Sequence, residues 1–192
     1  MAIQLKKGQK IALDKDHIPL SKLIVGLGWD TNKYSGGHQF DLDTSIFMLN
    51  SSDQVCNDDD FIFYGNLKHK SGAIIHTGDN RTGEGDGDDE TISVDLSLVP
   101  ENVCKIVFAV TIYDAEERNQ NFGIVSNSFI RIIDANNSNE ILRYDLGEDF
   151  SIETALVVGE IYKYKGSWKF AAIGSGYSGG LAALCKRYSV NI

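Results

Sequence analysis

Short apolar runs separated by polar clusters recur along the whole chain. The clearest extend from Leu23 to Trp29, Phe40 to Leu49, Phe61 to Tyr64, Thr91 to Leu96, Lys105 to Tyr113, Phe129 to Ile133, Ile141 to Leu146, Leu156 to Tyr164 and Trp168 to Ile173. They are rich in β-branched and aromatic residues and bounded by Gly, Asn, Asp or Ser, as strands are. Several alternate with period two: Ile92, Val94 and Leu96 fall on one face and Ser93 and Asp95 on the other, as in a strand with one buried face. Only Leu181 to Tyr188 has the length and apolar spacing of a helix. Many short strands with turn signals between them predict an all-β fold, an antiparallel β-sandwich with few short helices, one of them near the C-terminus.

Two segments are alike. Gly28-Trp29-Asp30 leads through polar residues to Phe40, and Ile112-Tyr113-Asp114 leads in the same way to Phe122. In each, an aromatic and an Asp close a strand and a new strand opens on Phe, which predicts two pseudo-symmetric halves. The chain has only two prolines and no Pro-rich or Ser-rich linker, so residues 1–192 are expected to form a single domain.

Composition narrows the class. In 192 residues, 42% apolar and 10% aromatic content exclude a disordered chain, which would lack the apolar surface to offset its ordering entropy. With 18 Lys and Arg against 27 Asp and Glu, the net charge is −9. Phosphate backbones and anionic membranes are then poor partners, because sequence-independent binding to either comes from Lys and Arg. Nucleic acid is not expected as a partner, and cations are. No apolar run reaches transmembrane length, and the opening Met1-Ala-Ile-Gln-Leu-Lys-Lys-Gly8 has no apolar core of signal-peptide length. A cytoplasmic protein without direct membrane insertion is expected. Cys56, Cys104 and Cys185 form no C-x-x-C pair and are expected to be small core or strand residues without redox or metal chemistry.

The charge is concentrated. Between Gly78 and Glu90 stand the acids Asp79, Glu84, Asp86, Asp88, Asp89 and Glu90, one base, Arg81, and glycines at 78, 83, 85 and 87. A charge run is ordinarily a solvated loop. Here, however, glycines alternate with the acids, which lets a backbone wrap tightly enough to turn its carbonyls inward. The donors are all oxygen: carboxylates, the Asn80 amide, the Thr82 hydroxyl and the backbone. Such sets favour Ca²⁺, which takes about 6–8 oxygens at about 2.3–2.6 Å. Zinc and copper would require His or Cys, and none lies in the window; the nearby His76 reads as a packing or hydrogen-bonding residue. Asp30, Asp41, Asp43 and Asp114 each stand where an apolar run meets a loop, and Asp41 and Asp43, two apart, share a strand face. Gathering such carboxylates without a cation would raise their pKa values and cost stability.

Other motifs are weaker. An EF-hand starting at Asp79 would place Arg81 and Gly83 at ligand positions and Glu84 where Gly is needed. Gly174-Ser-Gly176-Tyr-Ser-Gly179 mimics a dinucleotide fingerprint but is followed by no second strand or acidic residue. It is expected to be a tight strand-to-helix turn, with anion binding at the helix N-terminus as an option. No Gly-x-Ser-x-Gly elbow occurs, and His17, His38, His69 and His76 show no pairing with a nucleophile.

Taken together, Val25-Gly-Leu-Gly-Trp-Asp30, Phe40-Asp-Leu-Asp43, Asp60-Phe-Ile-Phe-Tyr64, the stretch from His76 to Glu90, Asn121-Phe-Gly123, Ser128-Phe-Ile-Arg131 and Trp168-Lys-Phe170 resemble the TerD family of tellurium-resistance and general stress proteins. The likeness covers nearly the whole chain. It implies a calcium-binding β-sandwich with two neighbouring Ca²⁺ sites, working with protein partners in a bacterial cytoplasmic stress-response complex. Asp79, Asn80, Glu84, Asp86, Asp88, Asp89 and Glu90 match the family motif, as do Asp30, Asp41 and Asp43. Tyr113 stands where the resemblance leads one to expect His before Asp114. The expected function is a non-enzymatic calcium-binding stress-response protein. The alternatives are a calcium-stabilised scaffold or interaction module and, with less support, a metal-dependent enzyme acting on a phosphorylated ligand.

Overall fold

The computed structural model describes residues 2–15, 18–31, 41–77 and 87–191. The chain forms β1 (Ile3–Leu5), β2 (Lys10–Ala12), β3 (Asp14–Lys15), β4 (Ile18–Pro19), β5 (Lys22–Thr31), β6 (Leu42–Leu49), β7 (Phe61–Ile62), β8 (Ile74–His76) and β9 (Glu90–Asp95). There follow β10 (Lys105–Ile112), β11 (Val125–Asp134), β12 (Asn139–Asp145), β13 (Ala155–Tyr164), β14 (Ser167–Tyr177) and α1 (Gly180–Tyr188). One sheet runs β1-β12-β11-β5-β9-β8 and the other β2-β14-β13-β10-β6-β7, with β3 and β4 as a separate ribbon. The pairings are antiparallel except β1 with β12, which is parallel. The expected antiparallel sandwich is the observed fold, and the one α-helix among the described residues follows β14. Phe40, the expected start of the second strand, lies outside the described residues.

Period two explains the core. Leu23, Val25, Leu27 and Trp29 of β5 face Leu42, Ile46 and Met48 of β6 and Ile106, Phe108 and Val110 of β10 across the sandwich. Strands β6 and β10 are also buried on their other face. There Phe47, Leu49, Val107 and Ala109 pack beneath Leu184, Cys185 and Tyr188 of α1. Their near-continuous apolar runs follow from burial on both sides. Strand β5 passes to β6 in the opposite sheet and β10 passes to β11 in the opposite sheet, so β5 pairs with β11 and β6 with β10.

Two local expectations are corrected. Strand β14 continues through Gly174 and Gly176 to Tyr177, and the turn is only Ser178-Gly179, with Gly179 at φ 97°. The amides of Gly179 and Gly180 donate to Thr154 Oγ1 at 3.1 and 2.9 Å, so a hydroxyl of the chain itself takes two amides of this helix start. Cys56 is exposed in a bend, accepting from Asn50 Nδ2 at 3.2 Å, and is neither a core nor a strand residue. Cys185 is buried in α1, and burial pushes its thiol up to about 11. The stability gained by keeping that thiol protonated is present below the ordinary thiol value and lost as pH rises through about 11. At neutral pH, a thiol reagent should label Cys56 at once and Cys185 only on unfolding. Mass spectrometry of the labelled peptides reads this directly, and equal rates would contradict it.

Candidate metal centre

Seven of the twelve expected site residues are described, and all seven lie at one end of the sandwich. The register explains why. Glu90 opens β9 opposite Leu27 of β5, Asp30 ends β5, Asp43 sits near the start of β6 opposite Thr111, and Asp114 follows the end of β10. Alternation along β9 puts Glu90 on the inner face with Ile92 and Val94. A carboxylate there is 2% exposed and needs partners to be tolerated. It has them: Thr44 N–H donates to Glu90 Oε2 at 3.0 Å, and His76 Nε2 stands 3.4 Å from the same oxygen. Glu90 therefore ties the two sheets together at this end.

Asp88 and Asp89 form the root of the acidic segment. The Asp89 amide donates to Leu27 C=O at 2.8 Å, and its carboxylate accepts from Trp29 N–H at 2.8 Å. Burial raises the Asp89 pKa; the Trp29 amide opposes the shift, and the nearby charges of Asp30, Glu90 and Asp88 add to it. Asp88 is held by Arg131, whose Nε and Nη2 donate at 2.7 and 3.1 Å while Nη1 donates to Glu140 at 2.9 Å. Its carboxylate lies directly over Gly26: a Cβ there would stand 2.2 Å from Asp88 Oδ2. Gly28 likewise leaves room for the Phe129 ring and the Gly87 carbonyl. Gly26→Ala should therefore cost about 1–3 kcal/mol through overpacking and displace the segment root. Denaturant unfolding checks the cost, and a stability within error of the parent would contradict this packing.

Asp30 is exposed and accepts from Asn127 Nδ2 at 2.6 Å. On the other side, Asp43 shares the outer face of β6 with Ser45 and Phe47, and Asp41 stands just before the strand with its carbonyl accepting from Tyr113 N–H at 2.8 Å. The Asp114 backbone is left-handed, at φ 49°, and its carbonyl accepts from Arg118 N–H at 3.0 Å. Burial raises the Tyr64 pKa, followed by the charge of Asp43, then Tyr113, then Asp114. Six of the seven described acids thus form two groups: Asp30, Asp88, Asp89 and Glu90 around the end of β5, and Asp43 and Asp114 around Tyr64.

Among the described residues, no three His, Cys, Asp or Glu side chains stand close enough together to hold a metal ion. Asp79, Asn80, Thr82, Glu84 and Asp86 lie outside the described residues. The chain enters their segment after Thr77 and leaves it at Gly87, both at this end. The donor chemistry is oxygen throughout, and the buried Thr44 Oγ1 beside Glu90 has no hydrogen-bond partner among the described residues. That set suits a hard cation, on the condition that the acids of 79–86 complete it. Sequence reasoning missed Arg131, Glu140, Thr44, Tyr64 and Asn127. Their partners are remote along the chain, and no local spacing announces them. His76, read as a hydrogen-bonding residue, is buried beside Glu90.

The TerD domain matches residues 1–188 of this sequence. The chain is 55% identical over 192 residues to general stress protein 16U of Bacillus subtilis, covering all of both chains. It is 51% identical over 191 residues to tellurium resistance protein TerD of Serratia marcescens, covering 100% of this chain and 99% of that one. In fold it is similar to the crystal structure of a homologue of telluride resistance protein (TerD) from Streptomyces coelicolor A3(2). The TM-score is 0.70 at 19% identity, over 86% of this chain and 95% of the other.

Proposed function

The chain belongs to the TerD family of tellurium-resistance and stress-response proteins, and on that footing we propose that it is a calcium-binding protein of the stress response, without catalytic activity. The observation that carries the reading is the placement of seven acids, Asp30, Asp41, Asp43, Asp88, Asp89, Glu90 and Asp114, at the one end where the acidic segment leaves and rejoins the sandwich. Like charges so gathered favour a cation, and an all-oxygen donor set favours Ca²⁺ over zinc or copper. Asp88, Asp89 and Glu90 have backbone or Arg131 partners. They fix the root, while Asp79, Asn80, Thr82, Glu84 and Asp86 supply donors from the glycine-rich segment. The two acidic groups at this end support two ions.

The passage of β5 to β6 and of β10 to β11 between the sheets supports residues 1–192 as one domain of two pseudo-symmetric halves. Asp30, Asp41 and Asp43 come from the first half and Asp114 from the second. Among the described residues, no helix is long and apolar enough to cross a membrane. We place the protein in the cytoplasm with protein partners of a stress-response complex and no nucleic acid. The inter-sheet gap at this end is lined by apolar side chains, among them Trp29, Leu42, Val110, Phe122 and Phe129. This lining disfavours an enzyme holding a phosphorylated ligand there. The calcium-stabilised scaffold is the second reading, favoured if partners bind equally after chelation. Calorimetric titration of Asp79→Ala with CaCl₂ tests the site: affinity should fall about tenfold or more, and an unchanged affinity would remove Asp79 from it.

A further inference from the structure

The net charge of −9 conceals an uneven distribution. Eight of the eighteen Lys and Arg residues, and none of the twenty-seven Asp and Glu, lie in residues 1–13 and 161–192. Strands β2, β13 and β14 bring much of this charge to one edge of a sheet. The β13–β14 hairpin turns at Lys165-Gly166, with φ 49° and 82°. This turn lies at the end of the sandwich away from the acids, since Ala155 pairs with Tyr177 beside Thr111 while Tyr164 pairs with Ser167 at the tip. Register sets Lys105, Tyr162, Lys169 and Ala12 side by side across the outer face. The ammonium groups of Lys169 and Lys165 lie 4.6 and 5.5 Å from the centre of the Tyr164 ring, Lys10 lies 5.6 Å from that of Tyr162, and Lys163 4.9 Å from Trp168. Tyr164 is 49% exposed. Helix α1 covers the other half of this face, over Phe47, Val107 and Ala109. Lys105 is committed to Asp53 and Glu160. Among the described residues, Lys10, Lys163, Lys165 and Lys169 have no carboxylate within ion-pair distance.

We propose that this lysine and tyrosine edge is a docking surface for a negatively charged lipid membrane, on which the protein adsorbs without inserting, its acidic end turned away. Charge complementarity selects the partner. The edge carries lysines, compact charges suited to a diffuse anionic surface, and not the forked guanidinium that grips single phosphates. Each lysine near such a surface strengthens binding roughly fivefold. Tyrosine, apolar in body and polar at its tip, settles at headgroup level. Single-stranded nucleic acid fits less well, because stacking needs open ring faces, and Tyr162, Tyr164 and Trp168 each hold an ammonium over the ring. Net charge argues against anionic membranes only as an average over the whole chain; on this side Asp53 and Glu160 are paired with Lys105, Asp14 follows β2, and the acidic segment lies at the far end. The proposal is independent of calcium.

Flotation with vesicles tests it, in chelator and at low salt, using phosphatidylcholine alone or mixed with phosphatidylserine. The protein should float only with the mixed vesicles, and increasingly less as salt is added. Lys163→Glu with Lys165→Glu, both exposed positions, should weaken partitioning about tenfold or more with unchanged thermal unfolding. Lys68→Glu with Lys70→Glu makes the same charge change near the opposite edge, at β7 and β8, and should leave partitioning within about twofold. No uptake by the mixed vesicles, equal losses in the two pairs, or capture of a single-stranded oligonucleotide without vesicle uptake would each overturn the proposal.

Discussion

Glu90→Ala is expected to cost about 2–5 kcal/mol of stability, the range for truncating a fully buried side chain that also serves as a hydrogen-bond acceptor. Few carboxylates are so placed. Glu90 is 2% exposed, accepts the Thr44 amide from the facing sheet and stands beside His76, itself 4% exposed. Alanine would leave a buried amide and a buried imidazole without this acceptor and open a void between the sheets. Glu90→Gln keeps the shape and an acceptor oxygen, and should cost less, about 1–3 kcal/mol. Urea unfolding followed by tryptophan fluorescence, with the buried Trp29 one bond from the site, reads both. A Glu90→Ala loss below about 1 kcal/mol, as for an exposed pair, would show that this carboxylate does not hold the sheets together.

Phe47→Ala should be comparably severe, about 3–5 kcal/mol for a fully buried ring, and should act on a different element. Phe47 faces away from the inter-sheet core. It stacks on Phe61 at 4.8 Å and meets Tyr188 of α1 at the same distance, and Phe61 stacks in turn on Phe63 at 4.5 Å. Helix α1 is nine residues long, too short to persist without packing, so its order depends on this cluster. Hydrogen exchange should show residues 180–188 losing protection while β5 and β9 keep theirs. Uniform loss through the sandwich, or none in α1, would contradict this division.

The long strands were legible because burial on one or both faces leaves a periodic or continuous apolar signature. Lys105–Ile112 and Ala155–Tyr164 lie within a residue of their expected limits. Strands β1 to β4 have no such signature. They are two or three residues long and polar in part; β1 and β2 owe their pairing to β12 and β14 far along the chain, and β3 and β4 pair only with each other. The Gly-rich C-terminal stretch misled because Gly174 and Gly176 resemble a turn, whereas here they admit Tyr144 and Glu153 against a strand. At the candidate site, acid type and strand-end position were readable from sequence. What those acids touch was not. The grip of Arg131 on Asp88 and of the Thr44 amide on Glu90 spans 43 and 46 residues, and only the sheet register brings such pairs together.

We propose that the acidic end of this sandwich holds calcium. The most direct test is calorimetric titration of the chelator-stripped protein with CaCl₂ and, separately, with MgCl₂, beside a melting scan in each. Micromolar binding of about two Ca²⁺ ions is expected, with a weak response to Mg²⁺ and a rise in melting temperature that grows with calcium concentration. Absence of heat together with an unchanged melting curve would contradict it and leave the acidic segment a solvated loop.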